Sequence, residues 1–507
     1  MKRLFADAAH AGMCLLVALY AAALCLLCIP MPAAAALLIA AAVFALLMLL
    51  ARRMPQTAPA APETADALPR GLFAAAAGFC FSVLLIYLAA YFPGGLSSDS
   101  IMQWHQQKLF EFSDWHPALH TLLIALCARI VPHPAFALAV QMLAYALSVG
   151  YACASLRRWR APLALCALLC AYLSLSPAIS NVMTFLWKDC AFAVSVLTLG
   201  VQILHIHFSR GAWLERRRNV FALAAVLCAA SILRHNGLAL TLPAIVWLLI
   251  SFPRLYKRLL AAAAGFVLLF ALVRGPLYDA LDVKPKESLK TETIGVPMVV
   301  LSHIYAQSPD ALGADAAALM DEFGPWETFR DHDRAGDWND TKWYVANPAL
   351  EDYTLGGIAA MAVRAAIQEP ELAREALRGL FDMPLLPFGD AYWRLSPYVD
   401  ADNWFGFSAS GVPILQRILG AVCRLSAVPA LSWLFWRPGL WLLLVMAACT
   451  LYARRRPLSA LTLPAMLICY HLVTCAVLSS PTDFRFFLSA PMIAPLCIMG
   501  LIIRPHE

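Results

Sequence analysis

The sequence predicts an all-α polytopic membrane protein, with about twelve transmembrane helices, interfacial helices and a mostly helical extracytoplasmic segment. Three observations predict it. Hydrophobic residues make up 62% of the 507 and charged residues 14%, against about 45–50% and about 25% in soluble domains. Apolar runs of membrane length recur: residues 71–92 carry no charge, and about 20 residues at about 1.5 Å rise cross a hydrocarbon core of about 30 Å. The charges are also segregated, since 22 of the 32 acids but only 10 of the 38 basic residues fall between Pro276 and Gly411.

In chain order, the runs 11–29 and 33–50 follow Met1-Lys2-Arg3, and the second ends in Arg52-Arg53. The first resembles a secretory signal, but the immediate second run favours a helical hairpin with both ends cytoplasmic. Residues 54–70, rich in Pro and Ala, form a linker that closes an N-terminal unit, 1–70. Basic clusters at Arg157-Arg158-Trp159-Arg160, Arg210 with Arg216-Arg217-Arg218, Arg254 with Lys257-Arg258, Arg454-Arg455-Arg456 and Arg504 then set the topology. Basic loops stay in the cytoplasm. With all of them inside, the spans are 11–29, 33–51, 71–92, 135–156, 161–178, 190–208, 220–234, 237–252, 259–275, 438–453, 459–480 and 485–503, with both termini cytoplasmic.

Two apolar segments stand outside that count. Residues 117–131 are short and bracketed by Pro117 and Pro132-His133-Pro134, and 412–431 carries Arg417 and Arg424 on one face. Both read as helices in the membrane interface, and a crossing by either changes the parity of the topology. The units are therefore 71–275, a transmembrane core with two outer loops; 276–437, an extracytoplasmic and interfacial segment; and 438–507, the C-terminal helices. The segment 276–411 has helix-like stretches at 310–323 and 357–381, and its Met-Pro-Leu-Leu-Pro-Phe run at 383–388 suggests that it rests on the bilayer. None of the fifteen cysteines lies within 276–411; nearly all sit in apolar runs and read as small buried residues rather than a disulfide framework. The basic residues form short anchors without interleaved aromatics, which leaves nucleic-acid binding unsupported.

This topology collects the chemistry at one level. Span 71–92 ends at Pro93-Gly94-Gly95-Leu96-Ser97-Ser98 and delivers Asp99 to the outer surface; Asp114, Trp115, His116 and His120 follow. Lys188 and Asp189 open another span, Arg234-His235-Asn236 turns between two more, and Asp483 and Arg485 precede the last. Each alone is also explained by snorkelling or a solvated loop. Their convergence at four outer turns is the signal. Asp99 and Asp189 are the catalytic candidates; His116, His120, Lys188, Arg234, His235, Asn236 and Arg485 are candidates for binding an anion, and Asp114, Trp115 and Asp483 are secondary ones. His116 and His120 are four apart, and an anion suits the exposed N–H groups of a helix opened by Pro117 better than a metal does. A lipid phosphate is the anion an outer membrane surface offers. A divalent cation, Mg²⁺ or Mn²⁺, on Asp99 and Asp189 stays open, since two acids alone do not establish a metal.

An acid after an early span, a juxtamembrane helix opening His116-Pro117-Ala118-Leu119, and a second acid at Lys188-Asp189 together resemble the GT-C glycosyltransferase superfamily, such as protein O-mannosyltransferases and aminoarabinose transferases. Ser231-Ile232-Leu233-Arg234-His235-Asn236-Gly237-Leu238 is similar to that superfamily's Leu-Thr-Lys-Gly-like turn, and Phe484-Arg485-Phe486-Phe487 to its Arg-Tyr segment. His116 stands where the superfamily tends to have lysine. Asp114-Trp115-His116-Pro117 also resembles a signature of bacterial multispanning proteins of uncharacterised function. The superfamily resemblance implies transfer of a sugar from a polyprenyl-phosphate donor to an acceptor glycan, lipid or protein at the extracytoplasmic face, by inverting displacement. It places the protein in the cell membrane among lipids, with Asp99 as base. Two other readings stay open: a transporter or flippase of a lipid-linked or anionic substrate, and an O-antigen-type polymerase or ligase. Against the first, the charges gather at helix ends rather than along a pathway; against the second, the large outer segment is acidic.

Overall fold

The computed structural model describes residues 2–53, 67–285, 294–342, 344–345, 350, 352–389, 396–453, 458–477 and 483–502. Residues 54–66 of the expected linker 54–70, the clusters Arg454-Arg455-Arg456 and Arg504, and Pro481-Thr482 lie outside the described residues. The chain is an all-helical, multi-pass membrane protein. Each of the twelve apolar segments forms helix, and eight helices among the described residues are long and apolar enough to cross a membrane, or ten if two bent pairs each count as one span.

Two helices, α1 (Lys2–Cys28) and α2 (Ala33–Arg53), pack as a hairpin. After Pro69, α3 (Arg70–Ala90) runs to the turn at Tyr91. Next come α4 (Ser98–Leu109), which ends with Phe110 in the left-handed region at φ 60°, and α5 (Ala118–Ile130). With only 13 residues, α5 is too short to span, and Pro117 and Pro132 bound it. A proline at its first turn opens α6 (Pro134–Arg158), and His133 Nδ1 caps it by accepting from Ala135 N at 3.2 Å. The expected span 161–178 is a bent pair, α7 (Leu163–Leu175) and α8 (Pro177–Met183), meeting at 54° where Pro177 interrupts the ladder. There follow α9 (Lys188–Phe208), α10 (Arg217–Ile232), α11 (Leu238–Ser251) and α12 (Tyr256–Leu272). A π turn at 273–277 around Pro276 carries α12 into α13 (Tyr278–Ala280).

The acidic segment has its own apolar centre. Here α14 (Gly295–Gln307), α15 (Ala314–Phe323), α16 (Trp326–His332), α17 (Asn339–Lys342), α18 (Leu355–Gln368) and α19 (Pro370–Asp382) enclose Leu319, Phe323, Phe329, Trp338, Ile358 and Leu380. The expected single stretch 357–381 divides at Glu369-Pro370, because proline cannot continue a helix but starts one well. Met383, Leu385 and Leu386 pack into the transmembrane core, where Tyr20 donates to the Leu385 carbonyl and His471 Nδ1 lies 3.0 Å from the Pro384 carbonyl oxygen. A buried pair, Arg437 and Asp382 at 3.2 Å, adds a second tie.

The second expected interfacial helix is α20 (Pro413–Ser426), which bends by 98° into α21 (Pro429–Phe435). It packs on α3 and α8 and leaves Ile414, Ile418 and Leu425 exposed, with Arg417 and Arg424 also outward. The last helices are α22 (Pro438–Ala453), α23 (Thr462–Val477) and α24 (Ser489–Ile502). At the end of the bundle carrying the basic turns, His207 Nδ1 lies 2.8 Å from Ser459 Oγ and Trp247 donates to the Leu458 carbonyl. At the other end lie the four acidic and polar turns. Cysteines are free throughout, and most are buried.

Candidate active site

Asp99 is placed by the backbone that precedes it. Gly94, at φ +108°, makes a turn that a side chain would obstruct, since a Cβ there would come within 2.1 Å of Leu138. Gly95 N then donates to the Thr184 carbonyl at 2.8 Å and the Gly95 carbonyl accepts from Leu186 N at 3.0 Å, while Leu96 exchanges bonds with Tyr398 and Asp400, both at 2.8 Å. The turn thus lies between two distant segments, 184–187 and 398–400. Ser97 receives a hydrogen bond from Trp187 Nε1 at 2.6 Å, and Ser100 donates to the Leu186 carbonyl at 3.0 Å. Asp99, in the first turn of α4, is aimed across the start of α9.

Two cations meet it there. Asp99 Oδ2 lies 3.0 Å from Lys188 Nζ and 3.2 Å from Arg485 Nη1, and His116 Nε2 is 3.8 Å from Oδ1. Lys188 Nζ is also 4.0 Å from Asp189 Oδ2, so one ammonium joins both expected acids. Asp189 is fully buried and pairs with Arg234 Nη1 at 2.6 Å, although neither of its oxygens makes a directed hydrogen bond. Aromatic faces surround the Arg234 guanidinium: Phe486 at 4.7 Å, Phe192 at 5.7 Å and Tyr470 at 5.9 Å. Its Nε donates to Asn236 Oδ1 at 3.1 Å, and Asn236 donates to Thr474 at 2.7 Å. Arg485 lies over the Trp187 ring at 4.4 Å and pairs with Asp483 at 2.8 Å. Burial by itself pushes the Asp99 carboxyl up, but Lys188 and then Arg485 outweigh it and hold the group far below the usual carboxylate range. Burial drives Asp483 the other way, upward, against the pull of Arg485.

The remaining candidates divide between this cluster and its support. His116 precedes α5 rather than lying on it, so His116 and His120 do not share a helix face as their spacing suggested. Burial, with Lys188 adding to it, lowers His116 to about 3, so the ring is neutral beside Asp99. His120 turns instead toward α4: its Nδ1 is 3.1 Å from Gln103 Oε1, and Gln103 bonds Thr121 at 2.9 Å. His120 stays within electrostatic reach of Lys188 and Asp189. Asp114 caps α5 by accepting from Ala118 N at 3.0 Å and pairs with Arg274 at 2.9 Å. His235 lies beside Asp114, 3.9 Å from its Oδ2, and 3.4 Å from the Trp115 carbonyl. This second cluster, joined by Tyr278 accepting from Leu119 N at 3.1 Å, fixes the entry to α5. Sequence reasoning missed Trp187, Arg274 and Tyr398. Trp187 adjoins Lys188 and was legible in principle; Tyr398 had no local signal, because only tertiary pairing brings it to Leu96.

Asp99 and Asp189 do not fit a divalent cation in this arrangement. Each carboxylate faces a cation of the protein itself, and Lys188, Arg234 and Arg485 would all surround the metal. Among the described residues no three His, Cys, Asp or Glu side chains group as metal ligands. What the arrangement offers chemically is a carboxylate held between two cations, Lys188 and Arg485, beside a neutral imidazole.

A family described as "Family of unknown function (DUF6020)" matches residues 110–323. That region includes Asp114 to His120, Lys188-Asp189 and Arg234 to Asn236, and excludes Asp99, Asp483 and Arg485. No curated protein matches the chain. Among solved structures, that of ArnT from Cupriavidus metallidurans in the apo state is similar over 86% of this chain and 78% of that one, at 15% identity and a TM-score of 0.34. That likeness assigns no activity to this chain.

Proposed function

We propose that this protein is a membrane glycosyltransferase, moving a sugar from a polyprenyl-phosphate donor to an acceptor hydroxyl at the extracytoplasmic face by inverting displacement. The observation that carries the reading is the sharing of Asp99 Oδ2 by Lys188 and Arg485, at 3.0 and 3.2 Å. A donor phosphate competes for those two cations. When it takes them, Asp99 loses the charges that suppress its proton affinity and becomes a better base. The acceptor oxygen then attacks the anomeric carbon and gives its proton to Asp99. The bond from that carbon to the phosphate oxygen breaks, and its electron pair leaves on the phosphate. Lys188 and Arg485 stabilise the negative charge that develops there, and the aromatic wall around Arg234 excludes water from the same region. Asp189 is a positioning residue in this scheme, holding Lys188 and Arg234 in place.

The basic turns at the opposite end of the bundle support an extracytoplasmic site. The test is consumption of polyprenyl-phosphate sugars by membranes holding equal amounts of wild type, Asp99→Asn and Asp189→Asn. Loss of a general base costs about 10²–10⁴-fold, so Asp99→Asn falls at least 100-fold. Wild-type consumption by that variant would overturn the assignment.

A further inference from the structure

A cavity of about 160 Å³ opens beside the Asp99 turn, lined by Tyr91, Gly94, Pro397, Tyr398, Val399, Ala409 and Gln416. We infer that this cavity is the acceptor subsite, and that it takes a neutral, hydroxyl-bearing ring, a single sugar residue, with Tyr398 and Gln416 as its hydrogen-bonding partners. The inference rests on the transferase reading and names the acceptor's chemistry.

Location is the first argument. Tyr398 and Asp400 bond to Leu96, three residues before Asp99, and Tyr398 is near enough to Arg485 and Asp99 to feel both charges. Its ring meets Phe185 edge-on at 5.5 Å, and Phe185 stacks on Trp187 at 3.9 Å, beneath Arg485. The second argument is charge. No lining residue is ionised, whereas Lys188, Arg234 and Arg485 belong to the cluster on the α9 side of Asp99. A phosphate belongs with those cations. The neutral wall offers two phenols and an amide for hydroxyls, and Pro397, Val399 and Ala409 for the apolar face of a ring. The cavity is small, about 160 Å³, which suits a single ring.

The wall is also pre-formed. Ser410 N donates to the Phe92 carbonyl and Val412 N to the Ala89 carbonyl, both at 2.9 Å, and Asn403 closes the turn 400–407 with bonds to Asp400 and Phe407. A rigid pocket spares the ordering cost of binding.

The test is saturation-transfer NMR on the full chain in nanodiscs of phosphatidylcholine and phosphatidylglycerol, probed with a panel of methyl hexopyranosides and a blocked serine dipeptide. At least one hexoside should receive saturation from the wild type. Ala409→Trp, which fills the cavity, should abolish it, and Tyr398→Phe, which removes only a hydroxyl, should weaken it about 3–10-fold. Farnesyl phosphate should not displace it. The inference is overturned by a wild type that binds no hexoside, by binding retained in Ala409→Trp, by displacement with farnesyl phosphate, or by saturation of the dipeptide alone. Because this readout needs no turnover, its failure is distinct from failure of the transferase reading, which donor consumption by Asp99→Asn decides.

Discussion

At the scale of residues, the balance of buried charge governs both stability and chemistry. Asp189 has no solvent, and its closest cation is Arg234 at 2.6 Å with Lys188 at 4.0 Å, so replacing Arg234 by Gln leaves a buried carboxylate with only the more distant ammonium. Breaking a buried pair from one side costs about 3–5 kcal/mol. Arg234→Gln should therefore lower the thermal midpoint in nanodiscs sharply, and Asp189→Asn added to it should restore much of the loss, a coupling read by a double-mutant cycle. Acid acts through His116 and, in the same window, through His120, which burial lowers to about 4. The folded value of His116, about 3, lies below the ordinary 6.5, so the contribution of the neutral ring is complete above pH 6.5 and is lost as pH falls toward 3. Asp99 has the same sign, with its loss beginning as pH falls into the ordinary carboxylate range. Thermal midpoints should fall between pH 6 and 4, and His116→Gln should lessen that slope while leaving the part due to His120 and any decline below pH 4. Most of these residues were legible from sequence, because an ion at the end of an apolar run needs a reason. The four-residue spacing of His116 and His120 misled in one respect: it cannot say where a proline-opened helix begins, and here α5 begins after His116, so the two do not share its face.

At the scale of elements, the site is made by short irregular pieces that long helices hold apart. The turn at Gly94 and Gly95 is wedged between 184–187 and 398–400, and the strap continuing to Val412 lies against the end of α3. Gly411 is the closest point, since a Cβ there would come within 1.9 Å of the Ala90 carbonyl oxygen. Backbone cannot yield as a flexible side chain does. Gly411→Val should lift the strap, and hydrogen exchange over 396–412 should accelerate while exchange in α9 stays slow. The helices themselves were legible because composition and length speak directly to the bilayer. Their interruptions were partly so: Pro177 and Pro370 mark breaks that appear as a bend and as a new helix start, whereas the return of 398–400 to Leu96 spans about 300 residues with no sequence pattern to announce it.

At the scale of the molecule, one end of the bundle carries Asp99, Asp189, Arg234 and Arg485, and the other carries the arginine-rich turns around 157–160, 210–218 and 254–258. The tie between Trp247 and Leu458 and that between His207 and Ser459 place the loops after α9, α11 and α22 together at that second end. Since basic loops tend to be retained in the cytoplasm, the end that shares them is expected to face inward, and the Asp99 cluster, with the donor proposed for it, outward. Exposed positions at the two ends test this directly: Glu111, at the close of α4, and Arg216, before α10. In intact cells, a membrane-impermeant maleimide should label Glu111→Cys above the background of the native thiols, most of which are buried. It should reach Arg216→Cys only after permeabilisation. The reverse pattern would put the Asp99 cluster in the cytoplasm, where the arginine turns would face outward against the bias that orients such proteins, and the donor would have to be cytoplasmic.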